Sequence, residues 1–157
     1  MLRYFISLMG LILLLLGCGS MPSTNPPTSG VVISTDHTTY TPNDAISVTV
    51  HNTLPTPIYA MDTLSSCSIL SLQYQVNAAW QPSHVAQCPQ KRPTRRVKID
   101  AGATYTATIT AGYPGLKQLA FPIGSYQLML IYTTSPSVIP TAENGATATS
   151  AIIQVQG

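Results

Sequence analysis

The clearest structural signal in this chain is the run Ile46-Ser47-Val48-Thr49-Val50-His51, in which apolar and polar side chains alternate strictly. Alternation with a period of two places the apolar side chains on one face of a strand and the polar ones on the other. The turn-forming residues Thr41-Pro42-Asn43-Asp44 come just before this run, and Asn52 to Pro57 interrupt the strand after it. These residues predict a β-strand with one face in a core.

The same alternation recurs along most of the chain after residue 30. It is regular in Leu70 to Val76 and in Tyr105 to Ile109. Val31 to Thr35 is predicted as a first strand, and Tyr126, Leu128, Leu130 and Tyr132 are predicted to share one face of a late strand. Briefer segments are predicted at Ile58 to Ala60, around Trp80, at Val97 to Ile99 and at Ala151 to Val155. No stretch has convincing helical spacing. About seven or eight short strands separated by turns predict an all-β, antiparallel β-sandwich, with a closed barrel as the alternative.

Parts of this pattern resemble bacterial immunoglobulin-like domains. The stretch from Thr39 to Asn52 looks like their early strands, in which a tyrosine, a turn and an alternating strand ending in asparagine recur. The segment Pro122-Ile123-Gly124-Ser125-Tyr126 resembles the Pro-x-Gly-x-Tyr before their late strand, and Trp80 lies between the two. The resemblance implies an immunoglobulin-like sandwich with Tyr126 at a corner of the sheet. It also implies binding or spacing rather than catalysis.

The start of the chain has the parts of an export signal. Arg3 precedes an apolar run from Tyr4 to Leu16, which is shorter than the roughly 20 residues of a membrane span. The sequence Leu15-Leu16-Gly17-Cys18 then resembles the lipobox of bacterial lipoproteins, which implies cleavage before Cys18 and a diacylglyceryl thioether on its sulfur. The alternative is an ordinary secretory signal followed by an incidental cysteine.

These features predict three parts. Residues 1–17 are a lipoprotein signal peptide, residues 18–30 are a lipidated N-terminus with a flexible Ser-, Thr- and Pro-rich linker, and residues 31–157 are the immunoglobulin-like domain. The lipid anchor is the predicted membrane partner, so the protein is expected on the extracytoplasmic side of a cell membrane or an outer membrane. The formal net charge is only +2, which argues against a nucleic-acid partner.

Cys67 and Cys88 form an even pair once Cys18 is assigned to the lipid. In an oxidising compartment such a pair predicts a disulfide, worth about 3 kcal/mol in the chain-entropy model. The alternative joins both thiols to a metal with His84, through the spacing His84-x-x-x-Cys88, but a clear fourth ligand is lacking. We therefore expect no metal and no cofactor.

The sequence favours a protein that is not an enzyme. It contains the histidines His37, His51 and His84, but it has no Gly-x-Ser-x-Gly elbow and no pair of carboxylates in a setting typical of glycosidases. His51 falls on the polar face of its strand, where a solvated surface residue is the simpler interpretation.

Positive charge is concentrated between Pro89 and Asp100. This segment is either a solvated loop and edge strand or an anion- or partner-binding patch for lipid headgroups, wall polymers or an acidic protein. Its basic residues are Lys91, Arg92, Arg95, Arg96 and Lys98.

The leading hypothesis is a non-catalytic module that contacts a protein or polymer of the envelope. A solute or metal carrier is the first alternative, and it requires a deep pocket lined by Trp80 and histidines. A protease inhibitor that presents Pro89 to Thr94 as its loop is the second. Trp80 and the tyrosines are also candidates for a carbohydrate platform, although Tyr74, Tyr105 and Tyr126 are expected to face the core.

Overall fold

The computed structural model describes residues 30–62, 68–83, 85, 94–112 and 120–157. These residues form eleven β-strands, and none of them lies in a helix that could cross a membrane. The strands are β1 (Val31–Thr35), β2 (Thr39–Tyr40), β3 (Ile46–Asn52), β4 (Ile58–Asp62), β5 (Leu70–Val76), β6 (Ala79–Pro82), β7 (Arg95–Ile99), β8 (Thr104–Ile109), β9 (Gly124–Thr133), β10 (Ala146–Thr149) and β11 (Ile153–Val155).

The strands are divided between two sheets that pack as a sandwich. The smaller sheet has the order β1-β3-β8, and the larger sheet has the order β2-β11-β9-β4-β7, with β5 and β10 also paired to β9 and β6 paired to β5. Every pair is antiparallel except β2 with β11. In the smaller sheet, β1, β3 and β8 take the positions of immunoglobulin strands A, B and E. The predicted fold class is therefore confirmed, with short strands such as β2 and β10 raising the number above the expected seven or eight.

The core is filled by the inward faces of both sheets. β3 contributes Ile46 and Val50, and β9 contributes Tyr126, Leu128 and Leu130, all with no exposed surface. Burying each such side chain stabilises the fold by about 1.5–3 kcal/mol. The strict alternation read from the sequence is the direct consequence of this one-sided burial, since neighbouring side chains on a strand point to opposite faces.

Tyr126 closes one corner of the larger sheet, as the resemblance implied. Its hydroxyl donates a hydrogen bond to the carbonyl of Pro122 at 2.7 Å, four residues earlier in the chain. Its ring lies 4.9 Å from that of Tyr74 and 6.0 Å from that of Phe121, centroid to centroid. Burial raises the pKa of the Tyr126 phenol to about 12. The hydroxyl of Tyr126 therefore has a hydrogen-bond partner, while its aromatic ring packs in the core.

The last strand differs from the predicted run Ala151 to Val155. β10 and β11 both pair with β9, but Thr149 lies opposite Met129 whereas Ile153 lies opposite Tyr126, so the final segment carries one extra residue. Ser150 sits at this β-bulge, where its Oγ accepts a hydrogen bond from the Leu128 N–H at 2.9 Å. Ala151 follows the bulge and is exposed outside the strand, whereas the sequence predicted it as the first residue of the final strand.

β4 and β5 pair with successive parts of β9, β4 at Tyr132 and Thr133 and β5 from Tyr126 to Leu130. β4 and β5 both pair with β9, while β7 pairs with β4 and β6 pairs with β5. The β5–β6 connection is a two-residue turn with φ values of 49° at Asn77 and 63° at Ala78. Positive φ at both positions defines a type I′ hairpin turn, in which glycine is normally preferred at the second position.

Candidate functional site

The first basic residue of β7 is engaged with a buried carboxylate. Arg95 lies directly opposite Asp62 on β4, and its Nε donates a hydrogen bond to Oδ2 of Asp62 at 2.7 Å. The Asp62 side chain is only 7% exposed, whereas that of Arg95 is 63% exposed. A buried carboxylate without a charged partner would be strongly unfavourable. The arrangement therefore assigns Arg95 a structural role at the end of the core.

Arg96 and Lys98 lie on the outer face of the same strand. Nζ of Lys98 contacts Oδ1 of Asp100 at 2.6 Å, and this hydrogen bond and the charge of Asp100 raise the pKa of the lysine. Arg96 reaches the carbonyl of Val138 at 3.5 Å. The two cations therefore share a face, although only Arg96 lacks a carboxylate partner among the described residues.

Several predicted site residues lie outside the described residues, so the lipidation, the disulfide, the metal alternative and the loop part of the basic segment stay predictions. They are Cys18, Cys67, His84, Cys88, Lys91 and Arg92.

The described histidines take part in no metal-binding group of the described residues. Within the described ranges no group of three or more His, Cys, Asp or Glu side chains could hold a metal ion. His37 lies beside Asp36, with Nε2 and Oδ2 3.7 Å apart. Asp36 instead accepts hydrogen bonds from the Tyr40 hydroxyl at 2.7 Å and the Ser47 N–H at 3.0 Å. The hydrogen bond from Tyr40 lowers the pKa of Asp36. The hydrogen bonds that Asp36 accepts from Tyr40 and Ser47 join the loop after β1 to β2 and β3.

Trp80 and His51 do not meet. Trp80 lies opposite Gln75, on the side of β5 that faces away from buried Leu72. His51 is exposed on the outward side of β3, between buried Val50 and Asn52 in the other sheet. The two side chains consequently occupy opposite outer faces of the sandwich, so Trp80 and His51 do not line a common pocket.

The outer face that holds Trp80 carries a set of amide side chains, which we call the amide face. It is formed by Trp80 on β6, Gln73 and Gln75 on β5, Gln127 on β9 and Gln154 on β11. Strand register brings them together, because Gln75 pairs with Trp80, Gln73 pairs with Gln127, and Gln154 pairs with Ser125 of β9. Side chains of directly paired residues project from the same face.

The amides are held by hydrogen bonds across the strands. Nε2 of Gln127 donates to Oε1 of Gln73 at 2.6 Å, and Nε2 of Gln73 lies 3.5 Å from Sδ of Met129. At the other end, the Ser125 hydroxyl contacts Oε1 of Gln154 at 3.2 Å. These contacts fix the orientation of long side chains that would otherwise sample many rotamers. Gln73, Gln127 and Gln154 are therefore oriented by neighbouring side chains.

No charged residue occurs in the strands beneath the amide face. The segments β5, β6, β9, β10 and β11 consist entirely of apolar and uncharged polar residues. The nearest cations of the same sheet, Arg96 and Lys98, lie on β7 at the end of the strand order, beyond β4. The described strands that form the amide face are therefore polar and uncharged.

Asn52 is a buried polar residue that ends β3, as the immunoglobulin-like pattern implied, although the turn-forming residues from Asn52 to Pro57 were predicted to interrupt the strand. Its side chain has no exposed surface. Nδ2 lies 2.9 Å from the Thr56 carbonyl, 3.1 Å from that of Ile99 and 3.0 Å from that of Asp100. It therefore links the loop after β3 to the turn after β7, a structural rather than a binding role.

Comparison with protein-family models found no match, and comparison with curated proteins found no significantly similar sequence.

Proposed function

We propose that this chain is a membrane-anchored extracytoplasmic lipoprotein whose immunoglobulin-like module is not catalytic and binds a protein or polymer of the cell envelope. The observation that carries the binding role is the ordered, uncharged amide face on the larger sheet. A core filled by side chains such as Ile46, Leu128 and Leu130 favours recognition on the surface rather than in the interior of the sandwich.

The anchoring part of the proposal rests on the sequence around Cys18. The apolar run ends directly at Leu15-Leu16-Gly17-Cys18, and residues 19–30 provide a polar linker between a lipid and the sandwich. Two or three acyl chains, at about 0.8 kcal/mol for each buried methylene group, make a durable anchor. The module would then stand a short distance from the membrane, within reach of envelope components.

A carrier of solutes or metals has less support. Such a protein needs a cavity or a ligand cluster, whereas Trp80 and His51 lie on opposite faces and the described acidic and histidine residues form no metal-binding group. No feature of the described part of the chain favours the protease-inhibitor alternative.

Sedimentation with isolated envelopes tests the binding role without the lipid. The chain from Gly19 to Gly157 retains every described strand and lacks the anchor. We expect it to sediment with envelopes in a saturable manner that unlabelled protein competes away. A heat-denatured sample controls for nonspecific adsorption, and sedimentation no greater than that of an unrelated β-sandwich would contradict the proposal.

A further inference from the structure

We infer that the amide face binds a neutral polysaccharide chain lying across strands β6, β5, β9 and β11. This inference rests on the proposed function, since it names the class of envelope polymer that the same module would contact. The proposed ligand follows from three properties of the face: its lack of charge, its hydrogen-bonding groups and its aromatic side chain.

Because the strands of the amide face contain no charged residue, this face suits a neutral ligand. A surface that recognises an anionic polymer presents lysine or arginine to it, but β5, β6, β9, β10 and β11 contain none. On the described part of the sheet the free cation, Arg96, lies on β7. A neutral chain can lie over the amide face without desolvating an unpaired charge.

The glutamine side chains match the hydroxyl and acetamido groups of sugars. Each amide has two N–H donors and a carbonyl oxygen with two lone pairs. The bond of 2.6 Å between Gln127 and Gln73 engages only one donor of the first amide and one lone pair of the second. The pair therefore keeps hydrogen-bonding capacity for a ligand while its orientation is already fixed, which lowers the entropy lost on binding.

Trp80 supplies the apolar part of such a site. Trp80 lies opposite Gln75 on the edge strand β6 and is half-buried, so part of its side chain is accessible. The flat ring can pack on the C–H face of a pyranose while the amides bind hydroxyl groups. Adjacent strands are separated by about 4.8 Å, so the four strands span roughly 14 Å, the length of a short oligosaccharide.

The chain contains a single tryptophan, so its intrinsic fluorescence reports directly on this face. The test is a titration of the chain from Gly19 to Gly157 with three linear neutral glycans: chitohexaose, cellohexaose and maltohexaose. We expect at least one to change the Trp80 emission in a saturable and salt-insensitive way. The double variant Gln73→Ala and Gln127→Ala, which keeps Trp80, should raise Kd by about tenfold or more.

Thr106→Ala provides the matched control, since Thr106 is an exposed polar residue on the outer face of the other sheet. This variant should bind as tightly as the wild type, and equal circular dichroism spectra should verify that all variants are folded. No change in Trp80 emission with any of the three glycans at millimolar concentration would overturn the inference, as would equal affinity of the glutamine double variant. Either result would exclude a neutral glycan as the ligand of the amide face. Sedimentation with envelopes would remain as the separate test of the proposed function.

Discussion

Replacing Asn52 by alanine is expected to destabilise this domain more than any change on its surface. The Asn52 side chain is fully buried, and its Nδ2 lies within 3.1 Å of three carbonyls. Its Oδ1 also accepts a hydrogen bond from the Leu54 N–H at 3.1 Å. Asn52→Ala removes all of these contacts at once and leaves the backbone groups of two connections without their partners.

The expected decrease in the free energy of unfolding follows from the hydrogen bonds of the Asn52 side chain. The two N–H groups of the amide and its accepting oxygen correspond to three hydrogen bonds, and at about 1 kcal/mol net for each the expected loss is about 3 kcal/mol. For a domain of this size, 1 kcal/mol lowers Tm by about 3–4 °C, so the variant should melt about 10 °C below the wild type. Thermal and urea-induced unfolding of the chain from Gly19 to Gly157 measure both quantities.

Asn144→Ala is the matched control for the asparagine. Oδ1 of Asn144 accepts a hydrogen bond from the Thr141 N–H at 2.7 Å, but the side chain is exposed in its loop. Water can replace the lost partner there, so we expect a loss below about 0.5 kcal/mol. If Asn52→Ala unfolded at the same temperature as Asn144→Ala, the proposed role of Asn52 would be wrong.

Asn52→Asp separates hydrogen bonding from packing. The aspartate has nearly the same volume, but its carboxylate would face the carbonyl oxygens of Ile99 and Asp100 in a buried site. Burial and these oxygens should raise the folded-state pKa of the new carboxyl above its unfolded value. The variant should therefore lose stability as pH rises through that folded-state pKa, and regain part of it in acid. Wild-type stability at neutral pH would contradict this reasoning.

Three further predictions concern the turns, the loops and the cysteines. Ala78→Gly should raise the free energy of unfolding by about 0.5 kcal/mol, because glycine adopts the φ of 63° without the steric penalty of alanine; a lower Tm would contradict it. The Tyr40 hydroxyl lowers the pKa of Asp36 from its ordinary value of 3.8, so its stabilisation is present above that pH and lost as the pH falls through the folded-state pKa. Asp36→Asn should flatten this acid limb of the stability profile, and an unchanged slope would refute the assignment. Mass spectrometry of non-reduced protein from the envelope should give a peptide pair cross-linked through Cys67 and Cys88, whereas two alkylated thiols would exclude the disulfide.

The strands were the most predictable part of the molecule. In β3 the buried apolar residues Ile46, Val48 and Val50 alternate with the polar residues Ser47, Thr49 and His51, so the period of two is plain in the sequence. In β9 the inward residues Tyr126, Leu128, Leu130 and Tyr132 are buried, although the outward positions include the apolar residues Met129 and Ile131. The final segment was less predictable, because a single extra residue at Ser150 divides it into β10 and β11. Alternation indicates which face of a strand a residue occupies, but it does not determine the register between neighbouring strands.

Because the local sequence does not determine strand register, it also could not indicate which candidate site residues meet. Arg95 was grouped with the other basic residues because they are adjacent in sequence, whereas its partner Asp62 lies 33 residues away and is found only from the pairing of β4 with β7. Gln73 and Gln127 are separated by 54 residues, and each alone is an ordinary polar position on a strand. Their grouping into one uncharged face depends on the pairing of β5 with β9, which no local pattern shows.

The most direct test of the proposed function is mass spectrometry of the N-terminal peptide of the protein recovered from membranes. The proposal requires a chain that begins at Cys18 and carries the mass of a diacylglyceryl thioether on that residue, with or without an acyl group on its amine. Recovery of a membrane-bound chain in which Cys18 is unmodified and the residues before it are still attached would contradict the lipoprotein assignment.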